Sequence, residues 1–158
     1  MITLVIAGIL LGLGVPAMQS FEQNNRITSQ ANNLVSALQI TRSEAIRSGS
    51  RTTICSSDDG LSCSASNDWS TGWMVFADGS TAGTKDSTDT IIQVWSSLSG
   101  DSTLSGSASN IQYLGTGYQA TASTLSFILT RPYCSGDQIR TITVNPQGRP
   151  YTKTHTCP

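Results

Sequence analysis

The chain has 158 residues and a mass of 16.7 kDa, enough for one domain with an appendage. Charged residues make up 12% of it, about half the usual share, and Ser, Thr and Gly are abundant, which suits an exported or surface β-protein better than a cytosolic enzyme. The net charge of −1 excludes any inference about partners from bulk charge.

Met1–Met18 (MITLVIAGILLGLGVPAM) holds no charged residue and is barely long enough to span a bilayer, where about 20 residues are typical. Three readings compete for it. A cleaved signal peptide would use Val15 and Ala17 before the cut, but there is no positive n-region. A buried core helix does not account for Ile, Leu and Val on every face. A membrane-inserted or bundle-packed helix does. Beyond Pro16, which is expected to bend or locally melt the helix, the sequence turns amphipathic. Ile27, Ala31, Leu34, Leu38, Thr41 and Ala45 recur at spacings of 4, 3, 4, 3 and 4, one stripe along a helix, with Thr41 its only polar member. The pattern ends near Ser48, and Gly49 suits the C′ position. Read as one helix, residues 1–48 extend about 70 Å.

After Gly49 the periodicity changes. Arg51–Cys55, Trp73–Ala77, Thr90–Trp95, Thr124–Leu129 and Ile139–Val144 are short runs rich in β-branched and aromatic residues. They predict one or two antiparallel sheets with the amphipathic helix on one face, and Trp73, Val75 and Ile91 supplying much of the core. Gly72 marks a bulge or turn. Residues 78–89 read as a solvated loop: Asp78, Asp86 and Asp89 lack the spacing and terminal Glu of an EF-hand. Residues 99–110 read as a flexible connection.

The four cysteines, Cys55, Cys63, Cys134 and Cys157, allow three pairings; their order favours Cys55–Cys63 with Cys134–Cys157 and leaves the other two open. Zinc is disfavoured because no closely spaced C-x2-C pair is present. Disulfides imply an oxidising compartment.

Three ordered blocks resemble the GspH/FimT/FimU family of type IV minor pilins and type II secretion pseudopilins. Ser29–Cys55 (SQANNLVSALQITRSEAIRSGSRTTIC) resembles the family's helix end and first strand. Asp68–Asp78 (DWSTGWMVFAD) resembles its W-x-x-G-W-x-V-F-x-D core. Cys134 with Ile139–Pro150 (IRTITVNPQGRP) resembles its final strands and C-terminal turn. The family's G-F-T-L-I-E prepilin motif is not in this sequence; Pro16 falls at the family's kinking proline if six mature residues precede Met1. The resemblance implies an α+β, pilin-like fold, a long N-terminal α-helix packed on an antiparallel β-sheet head with two disulfides. Residues 1–20 become the membrane and filament-core segment. Residues 21–158 become the pilin-like globular domain, with amphipathic helix 21–48 and β-rich head 50–158. Partners implied are other major and minor pilin subunits, met through the N-terminal helix, and the inner membrane before assembly. The chain would be single-pass with a periplasmic head, then extracellular in the filament.

No chemistry is expected. His155 is the single histidine, no G-x-S-x-G, P-loop or G-x-G-x-x-G occurs, and Glu22 and Glu44 are the only glutamates. No catalytic residue, metal or cofactor is assigned. The tail is different. Charge sums to +1 over residues 1–49, −5 over 50–130 and +3 over 131–158, and a basic tail on an acidic body is one form of polyanion site. FimT-like members include DNA receptors for natural transformation that use a C-terminal G-R-x-R motif. Here Gly148 and Arg149 match, and Tyr151 stands in place of the second arginine. Arg140, Gly148, Arg149, Tyr151 and Lys153 are therefore the candidate DNA-binding set: the cations for phosphates, Tyr151 for stacking on a base. The bland alternative is that Gly148 makes a turn and Arg149 pairs locally.

Overall fold

The computed structural model describes the backbone of residues 2–158, with side chains from Phe21 onward. One helix, α1 (Ile2–Ser48), runs through Pro16 without interruption, and Gly49, at φ +66°, ends it in the left-handed conformation that a C′ glycine adopts freely. Among the described residues no helix is long and apolar enough to cross a membrane. The side chains of 1–20, the segment expected to do so, lie outside that description.

Eight strands follow: β1 (Thr52–Ser56), β2 (Gly72–Ala77), β3 (Thr90–Ser96), β4 (Thr103–Gly106), β5 (Asn110–Tyr113), β6 (Leu125–Thr130), β7 (Ile139–Val144) and β8 (Pro150–His155). They form two antiparallel four-stranded sheets, ordered β3-β2-β1-β5 and β4-β6-β7-β8. All six residues of the helical stripe are buried. They meet Ile54, Trp73, Val75, Ile111 and Tyr113 from the first sheet and Leu104, Phe127, Leu129, Ile142 and Val144 from the second in one continuous core. Thr41 is tolerated there because its hydroxyl donates to the Ala37 carbonyl one turn back, at 2.7 Å.

The DWSTGW segment joins the two sheets. Trp69 is buried edge-on against Phe127 of β6, with ring centroids 4.9 Å apart, and its indole N–H donates to the Ala108 carbonyl at 2.9 Å. Four residues on, Trp73 belongs to β2 of the other sheet. Between them Gly72 donates to the Trp69 carbonyl in a tight turn at φ +122°. A Cβ there would stand 2.6 Å from the Trp95 carbonyl oxygen, so only glycine fits.

Both disulfides take the pairing favoured by cysteine order, Cys55–Cys63 and Cys134–Cys157. Three expectations need correction. Residues 99–110 are not merely a connection: they hold β4 and the first residue of β5. β4 contributes a single core side chain, Leu104, and is fixed by backbone bonds such as Trp69 N–H to Leu104 C=O at 2.8 Å, which leave no apolar pattern. The 78–89 loop is not freely solvated. Asp78 is buried, accepts from the Thr53 hydroxyl at 2.6 Å and the Gly83 amide at 2.7 Å, and pairs with Arg51 at 3.1 Å. Ile91 does not join the main core; it packs on Cys55, Met74 and Phe76 on the opposite face of the first sheet.

Leu34 is fully buried between helix and head. Leu34→Ala should therefore cost about 3 kcal/mol. The check is urea unfolding, where the midpoint should fall while the slope stays constant.

Candidate nucleic-acid interface

The candidate residues gather on the β7–β8 hairpin, the edge of the second sheet. Pairing puts Arg140 opposite Thr154, Thr141 opposite Lys153 and Thr143 opposite Tyr151. Directly paired residues share a face and successive residues alternate. Tyr151, Lys153 and His155 therefore stand together on the outer face, away from α1, while Arg140 lies on the same face as Ile142 and Val144. Lys153 Nζ lies 5.9 Å from the centroid of the Tyr151 ring, within cation–π range.

Arg140 does not share that surface. It is 8% exposed, and its guanidinium donates to Asn24 Oδ1 at 2.9 Å and Thr28 Oγ1 at 3.3 Å on the helix, and to the Asp137 carbonyl. The expectation that Arg140 belongs to the DNA-binding set with Arg149 and Lys153 is corrected to this extent. Arg140 is a clasp between the second sheet and α1, because strand alternation turns it inward.

Gly148 and Arg149 form the turn between the strands. Gly148 N–H donates to the Asn145 carbonyl at 2.8 Å, and Arg149 N–H donates to Asn145 Oδ1 at 2.9 Å. Gly148 is buried at φ +77°, and a Cβ there would stand 2.8 Å from the Tyr113 ring and closer still to the Gly117 carbonyl. Gly148 thus makes the turn, as the structural alternative held, and in doing so holds the exposed Arg149 outward. The Tyr113 ring beneath is fully buried, and burial pushes its phenol above the ordinary range, with the Arg42 charge opposing.

Beside Arg149 the helix supplies residues that no local pattern in the tail reveals. Gln39, Arg42, Ser43, Arg149 and Pro150 line a notch of about 390 Å³. Arg42 Nε donates to the Gly117 carbonyl at 2.9 Å, which ties the helix to the Leu114–Tyr118 turn packed against Gly148. At the far end of the hairpin, Cys134–Cys157 closes the tail onto the loop before β7, with Cys157 N–H donating to the Gly136 carbonyl at 2.8 Å. Among the described residues, no group of three or more His, Cys, Asp or Glu is placed to hold a metal ion.

A sequence model of the family described as "Type II transport protein GspH" matches residues 30–148, most of the described head and the helix that covers it. The chain belongs to the GspH family. Its fold is similar to that of the type IV minor pilin FimU of Pseudomonas aeruginosa (strain PAO1), with a TM-score of 0.68 and 18% identity over 87% of this chain and 99% of that one. A second crystal form of FimU matches with a TM-score of 0.63 over 83% of this chain and 99% of that one, again at 18% identity. The minor pseudopilin EpsH from the Type 2 Secretion System of Vibrio cholerae matches with a TM-score of 0.54 and 12% identity, over 83% of this chain and 97% of that one. Among curated protein sequences, none matches. At these identities the structural likeness speaks for a GspH-type fold, one long helix laid on antiparallel sheets, and the family match speaks for descent.

In this GspH-family chain, Gly148→Ala should destabilise by about 3 kcal/mol, from the left-handed backbone and the overpacked ring together. The neighbouring exposed Gln147→Ala should stay within about 0.5 kcal/mol of the parent. Thermal unfolding followed by circular dichroism measures both.

Proposed function

We propose that this chain is a minor subunit of a type IV pilus or of a type II secretion filament, acting in assembly initiation or at the tip. The observation that carries this is the helix. α1 is 47 residues long, and the head covers one stripe of it, beginning at Ile27. The face carrying Asn32, Ser36 and Gln39 stays exposed. Ahead of Phe21 the sequence holds no charged residue. Such a helix suits packing against the helices of other major and minor pilin subunits. Before assembly the apolar segment would hold the chain in the inner membrane as a single pass with the head in the periplasm, and in the filament the head would be extracellular. The two disulfides accord with that oxidising side of the membrane. The role is structural and not enzymatic, which agrees with the family.

This assignment has a direct test. The mature chain recovered from cells should retain the apolar segment and fractionate with the inner membrane. A mature N-terminus near Met18, found by N-terminal sequencing, would instead make this a secreted disulfide-bonded β-protein with a cleaved signal peptide.

A second element of the proposal is DNA binding by the head, as for a receptor in DNA uptake during natural transformation. It is favoured by the Tyr151–Lys153 pair on an open sheet face and by Arg149 held out on the turn that leads into it. Strands β4, β6, β7 and β8 contain no Asp or Glu at all. Phosphates approaching that sheet therefore meet no strand carboxylate, and each neutralised phosphate releases counterions. Tyr151 offers a stacking surface to an unpaired base. Arg140 contributes to the scaffold and not to this face. In gel shifts with the full chain in detergent, Arg149→Ala and Lys153→Ala should each weaken duplex binding several-fold and lower the salt slope by about 1. Absence of any shift at low salt removes DNA from the account and leaves the filament role standing.

A further inference from the structure

We propose that the notch between α1 and the β7–β8 turn is a phosphate-binding site in which Arg42 of the helix acts as the second cation beside Arg149. This rests on the DNA-binding reading of the head and assigns to it a residue 107 positions away in the chain. Two guanidiniums line one opening of about 390 Å³, and no Asp or Glu lines it with them. Neither enters an ion pair among the described residues. The nearest acid along the helix, Glu44, is taken by Arg47. Like charges placed together without a counterion favour an anion between them. Arg42 is positioned for this role: Nε bonds the Gly117 carbonyl at 2.9 Å, which fixes the guanidinium at the mouth of the notch and leaves its terminal nitrogens for a ligand.

The neutral lining fits the same ligand. Gln39 and Ser43 lie one helical turn apart on the exposed side of α1 and add an amide and a hydroxyl donor. Guanidinium forks match phosphate oxygens geometrically, where a lysine offers only a point charge. Arg149 also leads into β8, and at about 3.3 Å per residue it stands about 13 Å from Lys153. That distance covers about four phosphates at 3.4 Å of axis per nucleotide, so a strand passing round the turn end of the hairpin is long enough to reach from the notch to the Tyr151–Lys153 face. The second arginine missing from the tail motif at Tyr151 is thereby supplied from the helix.

The test uses the full chain in detergent, with fluorescence anisotropy against labelled duplex DNA over a salt series and thermal shift in inorganic phosphate. Arg42→Gln and Arg149→Gln should each weaken DNA binding about fivefold or more. If they share one phosphate, the double variant should lose far less than the product of the two, and its salt slope should fall by about 1 and not 2. Arg42→Lys should keep most of the slope. Ser43→Glu, at an exposed helix position that leaves the fold intact, should weaken binding about tenfold by placing an acid in the notch. If Arg149→Gln weakens binding while Arg42→Gln and Ser43→Glu do not, the notch is overturned and the DNA-binding reading survives. If the parent binds no DNA, that reading fails, and the phosphate arm decides the notch alone. A phosphate-dependent rise in melting temperature, lost in Arg42→Gln and in Ser43→Glu, supports a site for free phosphate; no rise overturns it.

Discussion

Two sheets that share no strand are held in one molecule by the apolar stripe of α1. Ile27, Ala31, Leu34, Leu38, Thr41 and Ala45 are all buried, and the helix lies against strands of both sheets. A four-stranded sheet with one apolar face is not stable in water unless that face is covered. The helix covers both at once, assisted by Trp69 at the seam. Cooperativity of the head therefore depends on the helix being present, and the head in turn fixes one face of the helix and leaves the others for neighbours.

The same coupling shapes the hairpin. Arg140 reaches inward to Asn24 and Thr28, Arg42 reaches outward to Gly117, and Gly148 sits on the Tyr113 ring beneath the turn. Arg140 thus ties the β7–β8 hairpin directly to α1, the Tyr113–Gly117 segment bridges the helix to the hairpin's turn, and the tail disulfide anchors its other end. An edge strand is otherwise the most mobile part of a sheet. Here the exposed cations are presented by an edge that is fastened at both ends, which would lower the ordering cost of the proposed binding.

Much of this was legible in the sequence wherever burial imposes a period. The 4, 3, 4, 3, 4 stripe, the glycine after Ser48 and the alternation in β7 follow from geometry that repeats along the chain. The same alternation hid the fate of Arg140: its partners Asn24 and Thr28 lie more than 110 residues away, and a basic residue in a tail suggests solvent until the strand's facing is known. β4 (TLSG) and β8 (PYTKTH) carry too few apolar side chains to show a period, because they are edge strands fixed by backbone bonds. Asp78 looked like loop charge because nothing local reveals that Thr53, Gly83 and Arg51 converge on it. Arg42 carried no signal for the same reason: it is one of several polar residues beside the buried stripe, and only the turn packed against it gives it a role.

Native-state hydrogen exchange tests the dependence of both sheets on the helix most directly. The amides of Leu34, Leu38 and Ala45 should exchange with the same free energy as those of Ile54 in the first sheet and Ile142 in the second, all through global unfolding. Exchange of the helix amides at a distinctly lower free energy, with the strand amides still protected, would show a head that stands without its helix and would contradict the account.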